Sequence, residues 1–186
     1  MRIKQSLAVQ DRCFVLIQDT GEVISWGGNE KGQLGQGNYH DTNVPSKIDS
    51  FTKGGVKIEY MAAGGDLNLA CSVEGEAYAW PFIQNGIKCS LPIRMPFSEK
   101  TKIHKVACGH NFGFFISNQG LVYSFGEDNS NGQLGLGHTY PTEYPELIQC
   151  LRDIGERIDN IECGFKHTIA KSSLGKIYTW GSSAKG

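Results

Sequence analysis

Trp26-Gly27, followed by Lys31-Gly32-Gln33-Leu34-Gly35-Gln36-Gly37, is written again as Phe125-Gly126 followed by Asn131-Gly132-Gln133-Leu134-Gly135-Leu136-Gly137. A third copy opens at Trp180-Gly181 and runs to Gly186, where the next Gly-Gln-Leu-Gly would begin. Self-similarity at a fixed period sets the architecture before any chemistry is considered. It also weighs against catalysis, because an active site is one unique constellation and repeats supply equivalent ones.

Outward from these copies, Thr20-Gly21, Glu74-Gly75, Gln119-Gly120 and Leu174-Gly175 mark tight turns spaced by about 54, 45 and 55 residues, the range of solenoids and propellers. Short runs of strand composition flank each turn. Residues 13–18, 67–72, 112–117 and 167–172 precede it, and 22–27, 76–81, 121–126 and 176–181 follow, so each pair predicts a β-hairpin. A further strand is expected before each hairpin, at 58–63, 103–108 and 158–163, with a shortened version at 7–9. A fourth is expected at 45–48, 92–95 and 145–148, and one turn of helix within 150–157. Four short antiparallel strands in repeated units predict an all-β chain of propeller blades.

The strand after each turn shows how such blades pack. Ile24, Tyr78, Tyr123 and Tyr178 share a face with Trp26, Trp80, Phe125 and Trp180. Val23, Ala77, Val122 and Ile177 share the other with Ser25, Ala79, Ser124 and Thr179. Period-2 alternation thus separates large rings from small groups, and large against small across neighbouring blades fills space without voids. In the glycine-rich stretch, Gln33 and Gln133 are expected to bond turn backbone, with Leu34 and Leu134 plugging the core beneath: a structural clasp.

These residues resemble the regulator of chromosome condensation repeat family from about Leu7 onward. The signature, aromatic-Gly then Gly-Gln-Leu-Gly-x-Gly then Pro, is met by Trp26-Gly27 with Gly32 to Gly37 and Pro45, and by Phe125-Gly126 with Gly132 to Gly137 and Pro145. The small-Gly-x-x-His element stands complete once, as Cys163-Gly164-Phe165-Lys166-His167; Leu67, Phe112 and Cys13 are read as replacing that histidine elsewhere. After Trp80 comes Pro81-Phe82-Ile83-Gln84-Asn85-Gly86, so the second unit departs from the pattern. The resemblance implies seven-bladed propellers, of which residues 1–186 hold about three and a half blades, with units at roughly 7–50, 58–97, 103–150 and a cut-off 158–186. A full ring needs about 350 residues, so the missing blades are expected from a longer polypeptide or from another chain.

Composition narrows the function. Lys and Arg number 18 against 19 Asp and Glu, for a formal net charge of −1, which argues against nucleic acid or anionic membrane as the main partner. The basic stretch from Arg94 to Lys105 reads as a solvated loop. No apolar run approaches the roughly 20 residues of a membrane span, and the N-terminus is too polar for a secretory signal, so an intracellular, cytoplasmic or nuclear protein is expected. Cys13, Cys71, Cys89, Cys108, Cys150 and Cys163 form no Cys-x-x-Cys pair and read as reduced core thiols.

Ligand motifs fail in turn. No Gly-Lys-Ser/Thr is present, and Gly-x-x-Gly-x-Gly without a following helix is not a dinucleotide fingerprint. The run from Glu127 to Gly132 has Glu at the first Ca-loop position and His138 at the twelfth, so it reads as a polar turn. Of His40, His104, His110, His138 and His167, the last is expected to hydrogen-bond backbone near a turn as a scaffold residue. No catalytic, cofactor-binding or metal-binding residue is assigned, and no cofactor is expected.

The expected function is therefore a non-enzymatic protein–protein interaction or scaffold module within a larger protein or assembly. Loops 38–43, 82–90 and 138–143 are the expected contact segments, since propeller loops carry binding. The alternative comes from the resemblance alone: the family's founding activity is guanine-nucleotide exchange on a small GTPase, and no residue is carried over for it.

Overall fold

A computed structural model describes residues 2–84 and 87–183. The first sheet is β1 (Ile3–Val9), β2 (Arg12–Ile17), β3 (Val23–Gly27) and β4 (Thr42–Lys47), followed by the short helix α1 (Asp49–Lys53). The second begins with β5 (Ile58–Ala63), β6 (Asn68–Ser72) and β7 (Ala77–Trp80). A small hairpin, β8 (Phe82–Gln84) and β9 (Ile87–Cys89), intervenes before β10 (Ile93–Arg94) completes it. The third is β11 (Ile103–Cys108), β12 (Phe112–Ser117), β13 (Val122–Gly126) and β14 (Thr142–Leu147), then α2 (Gln149–Ile154). The last joins β15 (Ile158–Cys163), β16 (His167–Ser172) and β17 (Ile177–Gly181). Neighbouring strands in every sheet run antiparallel, giving a partial propeller.

The outer strands depart from expectation for a physical reason. β4 and β14 start at Thr42 and Thr142, where they pair with Gly27 and Gly126, ahead of the prolines that seemed to open them. Pro45 and Pro145 sit inside edge strands, the place where a residue without an N–H is tolerated. β1 runs from Ile3, longer than its apolar part suggests, because Lys4 and Ser6 face away from the core. The single turn of helix expected near 150–157 is α2, shifted to Gln149–Ile154. α1 was not foreseen: five residues around one apolar anchor are too short to show a period. That anchor, Phe51, is buried edge-on against Tyr78 at 5.2 Å and Trp80 at 5.8 Å, and burial of such a side chain contributes roughly 1.5–3 kcal/mol.

Blade packing sets the large-ring face of each blade against the preceding one, where the rings meet small residues and, at Phe14, Phe51 and Phe114, other rings edge-on. Tyr78 and Trp80 lie in one cluster with Phe14, Leu16 and Val23 of the preceding blade. Phe125 and Tyr123 meet Ala77 and Ala79, and Tyr178 and Trp180 meet Val122. On the last blade the small-residue face has no neighbour among the described residues: Ile177 is 55% exposed where Val122, in the same register, is 1% exposed. No helix among the described residues is long and apolar enough to cross a membrane.

The cysteines are free thiols, but they are not uniformly core residues. Cys71 is buried, and burial pushes its thiol up to about 12. Cys108 and Cys163 are also raised, first by burial and then by a neighbouring negative charge, the Cys163 thiolate for Cys108 and Glu162 for Cys163. Cys150 stands exposed on α2, which corrects its assignment to the core. Iodoacetamide at pH 8 should therefore label Cys150 first and Cys71 only on unfolding, a sequence readable by peptide mass spectrometry.

Candidate functional site

Four turns, each leaving the first strand of a blade, meet at one end of the sheets. Residues 64–67, 109–112 and 164–167 close alike, with Gly64, Gly109 and Gly164 N–H donating to Leu67, Phe112 and His167 carbonyls at 2.8 Å. In the first blade Arg12 pairs with Gly27, as Phe112 pairs with Gly126 and His167 with Gly181. The histidine position is thus filled by Arg12, and the assignment of Cys13 was one residue out. Arg12 is buried, and its Nη2 donates to the carbonyls of Gly64 at 2.7 Å and Gly65 at 2.5 Å. Burial lowers its pKa while Asp11, Asp66 and Cys108 oppose the shift; a guanidinium stays charged regardless. Asp66 N–H donates to the His110 carbonyl at 3.2 Å, and the His110 ring stacks on exposed Phe165 at 4.2 Å. Each turn is thereby tied to the next. His167 is exposed, its ring over Gly164, and makes no side-chain hydrogen bond among the described residues; space left by the missing Cβ holds it.

Around this hub stand the glycine-rich clasps, built on the same core of hydrogen bonds in blades one and three. Gln33 Oε1 accepts from Lys31 N–H, and Gln133 Oε1 from Asn131 N–H, both at 2.9 Å. Ser25 and Ser124 hydroxyls donate to the carbonyls of the fully buried Leu34 and Leu134 at 2.8 Å. The expected roles of Gln and Leu hold. The centre, however, is a residue that the motif reading passed over. Asn29 Oδ1 accepts from Leu34 N–H at 2.9 Å while its Nδ2 donates to the carbonyls of Asn38 and His40; Asn129 does the same with Leu134, His138 and Tyr140. The signal was present, since Asn precedes Gln by four residues in both copies.

The clasp also locks the next blade. Trp80 Nε1 and Asn68 Nδ2 both donate to the Gln33 carbonyl, at 3.0 and 2.9 Å. Trp180 Nε1 and Thr168 Oγ1 both donate to the Gln133 carbonyl, at 2.8 and 3.1 Å. Trp80→Phe removes one of two donors and should cost about 1–2 kcal/mol in urea unfolding, because Asn68 still satisfies the carbonyl.

The second blade has no clasp, and the third lacks both donors: Gly113 and Phe125 stand where Asn68 and Trp80 stand in the second. In place of the loop lies a groove of about 710 Å³. Leu67, Pro81, Phe82, Ile83, Phe125 and Pro141 supply its apolar surface. Phe82 is tilted against Phe125 at 6.2 Å and against Tyr144 at 6.0 Å. Lys31 and Lys88 come from the first two units, Glu127 and Glu143 from the third, and Lys31 is paired with Asp66 at 2.6 Å.

Two of the three expected contact loops line this groove, and the third touches one of them. Tyr39 of loop 38–43 donates its hydroxyl to the Lys88 carbonyl at 3.0 Å, and loops 82–90 and 138–143 form opposite sides of the groove. Asn85 and Gly86, within loop 82–90, lie outside the described residues. Tyr39, Ile83, Ile87 and Tyr140 are exposed along this rim. The run from Glu127 to Gly132 is a polar turn: Asp128 accepts from Ser130 N–H and hydroxyl, which holds its carboxyl below the ordinary value.

Comparison with known proteins gives the lineage of this arrangement. Residues 20–71 and 119–170 match the model described as the Regulator of chromosome condensation (RCC1) repeat, and 103–133 match a second model of that description. The chain is 34% identical over 188 residues to the ultraviolet-B receptor UVR8 of Arabidopsis thaliana, covering 97% of this chain and 41% of that protein. It is 30% identical over 200 residues to the RCC1-like G exchanging factor-like protein of Mus musculus, covering 100% of this chain and 42% of that protein. Human WBSCR16 superposes with a TM-score of 0.83 at 27% identity, over 97% of this chain and 48% of that one. The chain thus spans less than half the length of these three proteins.

Proposed function

This chain belongs to the RCC1 repeat family, and from that premise we propose that it is a non-enzymatic protein-binding module, its units 7–50, 58–97, 103–150 and 158–186 forming part of a propeller that further blades complete. Two loops on opposite sides of one apolar, charge-rimmed groove, with a third held against one of them by Tyr39, carry this reading. Rigid blades fix the loop ends while the loop tips stay exposed, which is how propellers present partner surfaces. Relatives as different as a light receptor and an exchange-factor-like protein fit a scaffold whose function lies in what its loops hold.

The test is partner capture from native extract with the wild-type protein and with a rim variant, Tyr39→Ala with Tyr140→Ala, followed by elution with GTP and then denaturant. A set of proteins retained by the wild type, lost from the variant and indifferent to GTP supports the scaffold reading. Identical retention by both sinks the rim as the binding surface. A small GTPase held without nucleotide and released by GTP would instead establish the second reading, exchange-factor activity, which the similarity to the mouse protein favours. Such activity works by differential binding of the nucleotide-free GTPase.

A further inference from the structure

The junction between the second and third blades differs from its neighbours in a way that selects a ligand. Where a clasp is present, a buried leucine fills the space between blades and a glutamine carbonyl receives two donors from the next blade. At this junction leucine, carbonyl and donors are all missing together, and the groove opens over Phe82 and Phe125. Asn111 and Thr142 also line the groove, with Asn111 Oδ1 and Thr142 Oγ1 shielded from solvent beneath its surface. An apolar floor rimmed by both lysines and carboxylates suits an extended polypeptide, which brings apolar and charged side chains together.

Charge argues against the other polyanionic or lipidic occupants. A phosphate backbone would meet Asp66, Glu127 and Glu143 as well as the lysines. A peptide can satisfy both signs, with an acidic residue toward Lys88 and a basic one toward Glu127. The volume, about 710 Å³, lies within the usual range of ligand pockets and admits a large side chain with its flanking backbone.

We propose that this clasp-free junction binds an extended segment of a partner protein, seating one large apolar side chain over Phe82 and Phe125 with flanking charged residues toward Lys88 and Glu127. The proposal rests on the protein-binding reading above and names what the partner presents.

A phage-displayed library of random linear peptides, panned on the protein, tests it. Enriched peptides should share one large apolar residue, and their affinity should fall by about tenfold or more on Ile83→Asp. Lys88→Glu, which reverses a charge on the groove lining, should weaken peptides that carry an acidic residue about three- to tenfold. Leu174→Ala, in an exposed turn of the last blade and outside the groove lining, should leave them unchanged, and circular dichroism of each variant checks its fold. Peptides without a common apolar residue, or peptides indifferent to Ile83→Asp, overturn the groove proposal. If extract partners are nevertheless lost on the rim variant, the protein-binding reading survives that failure; if they too are indifferent, both fall.

Discussion

Gly64→Ala should remove more than about 4 kcal/mol of stability, enough to leave the protein largely unfolded at ambient temperature. A Cβ placed on Gly64 would lie 1.7 Å from the Gly109 carbonyl oxygen and 2.9 Å from its carbon. Both atoms are backbone, so no rotamer change relieves the contact. The turns of blades two and three would have to separate, and their separation propagates. The Gly64 carbonyl is one of two carbonyls that accept from Nη2 of buried Arg12, so displacing it weakens the hold on a guanidinium that ties in the first blade. Asp66 N–H would lose the His110 carbonyl on the other side. Gly55→Ala is the matched control: its added Cβ meets nothing within 4 Å, and only its φ of +67° is unfavourable, for about 1–2 kcal/mol. Urea unfolding of both variants separates clash from backbone strain. Equal losses would show that the hub yields and that the blades are not held together there.

Repetition made the fold legible, and what it hid is equally physical. β12 and β16, like β5, β11 and β15, fall where composition put them, because period-2 alternation and a turn glycine locate a hairpin without tertiary information. That Trp80 and Trp180 face a neighbouring blade was likewise readable from alternation, but not that they meet Phe14, Phe51 and Phe114 edge-on there. Three further features were not readable. Arg12 was missed because a charged residue at an interior position looks like a surface one until its acceptors, two carbonyls more than fifty residues away, are known. α1 holds together through Phe51 against the next blade, a contact that no local period announces. The groove is an absence of residues at one junction, and its meaning emerges only when Gly113 and Phe125 are seen to fall in register with Asn68 and Trp80. Of the contact loops, sequence showed where each lay along the chain, but not that they share one rim.

Asn129→Ala should cost about 3–5 kcal/mol, far more than its size suggests. The side chain is 1% exposed and makes three hydrogen bonds at 2.9 to 3.0 Å, two donated to the carbonyls of His138 and Tyr140 and one accepted from Leu134 N–H. Truncation leaves all three backbone groups to find other partners, and each buried group left unmet costs about 1–3 kcal/mol. The consequence reaches the next blade, since Leu134 N–H adjoins the Gln133 carbonyl that receives Trp180 Nε1 and Thr168 Oγ1. Asn129→Asp separates the terms. It keeps the acceptor for Leu134 but turns a carboxylate oxygen toward two carbonyls, so its ionised form is disfavoured in the fold and its folded pKa rises above the unfolded value of about 3.9. A raised carboxyl pKa means stability that is present in acid and lost as pH climbs from the unfolded toward the folded pKa. Asn129→Asp should therefore be closer to wild type at pH 4 than at pH 7, whereas Asn129→Ala should show the wild-type pH dependence. Chemical denaturation at the two pH values measures both. If Asn129→Asp matches the wild type at pH 7, the two carbonyls do not depend on the amide, and the clasp is held by Ser124 and Gln133 instead.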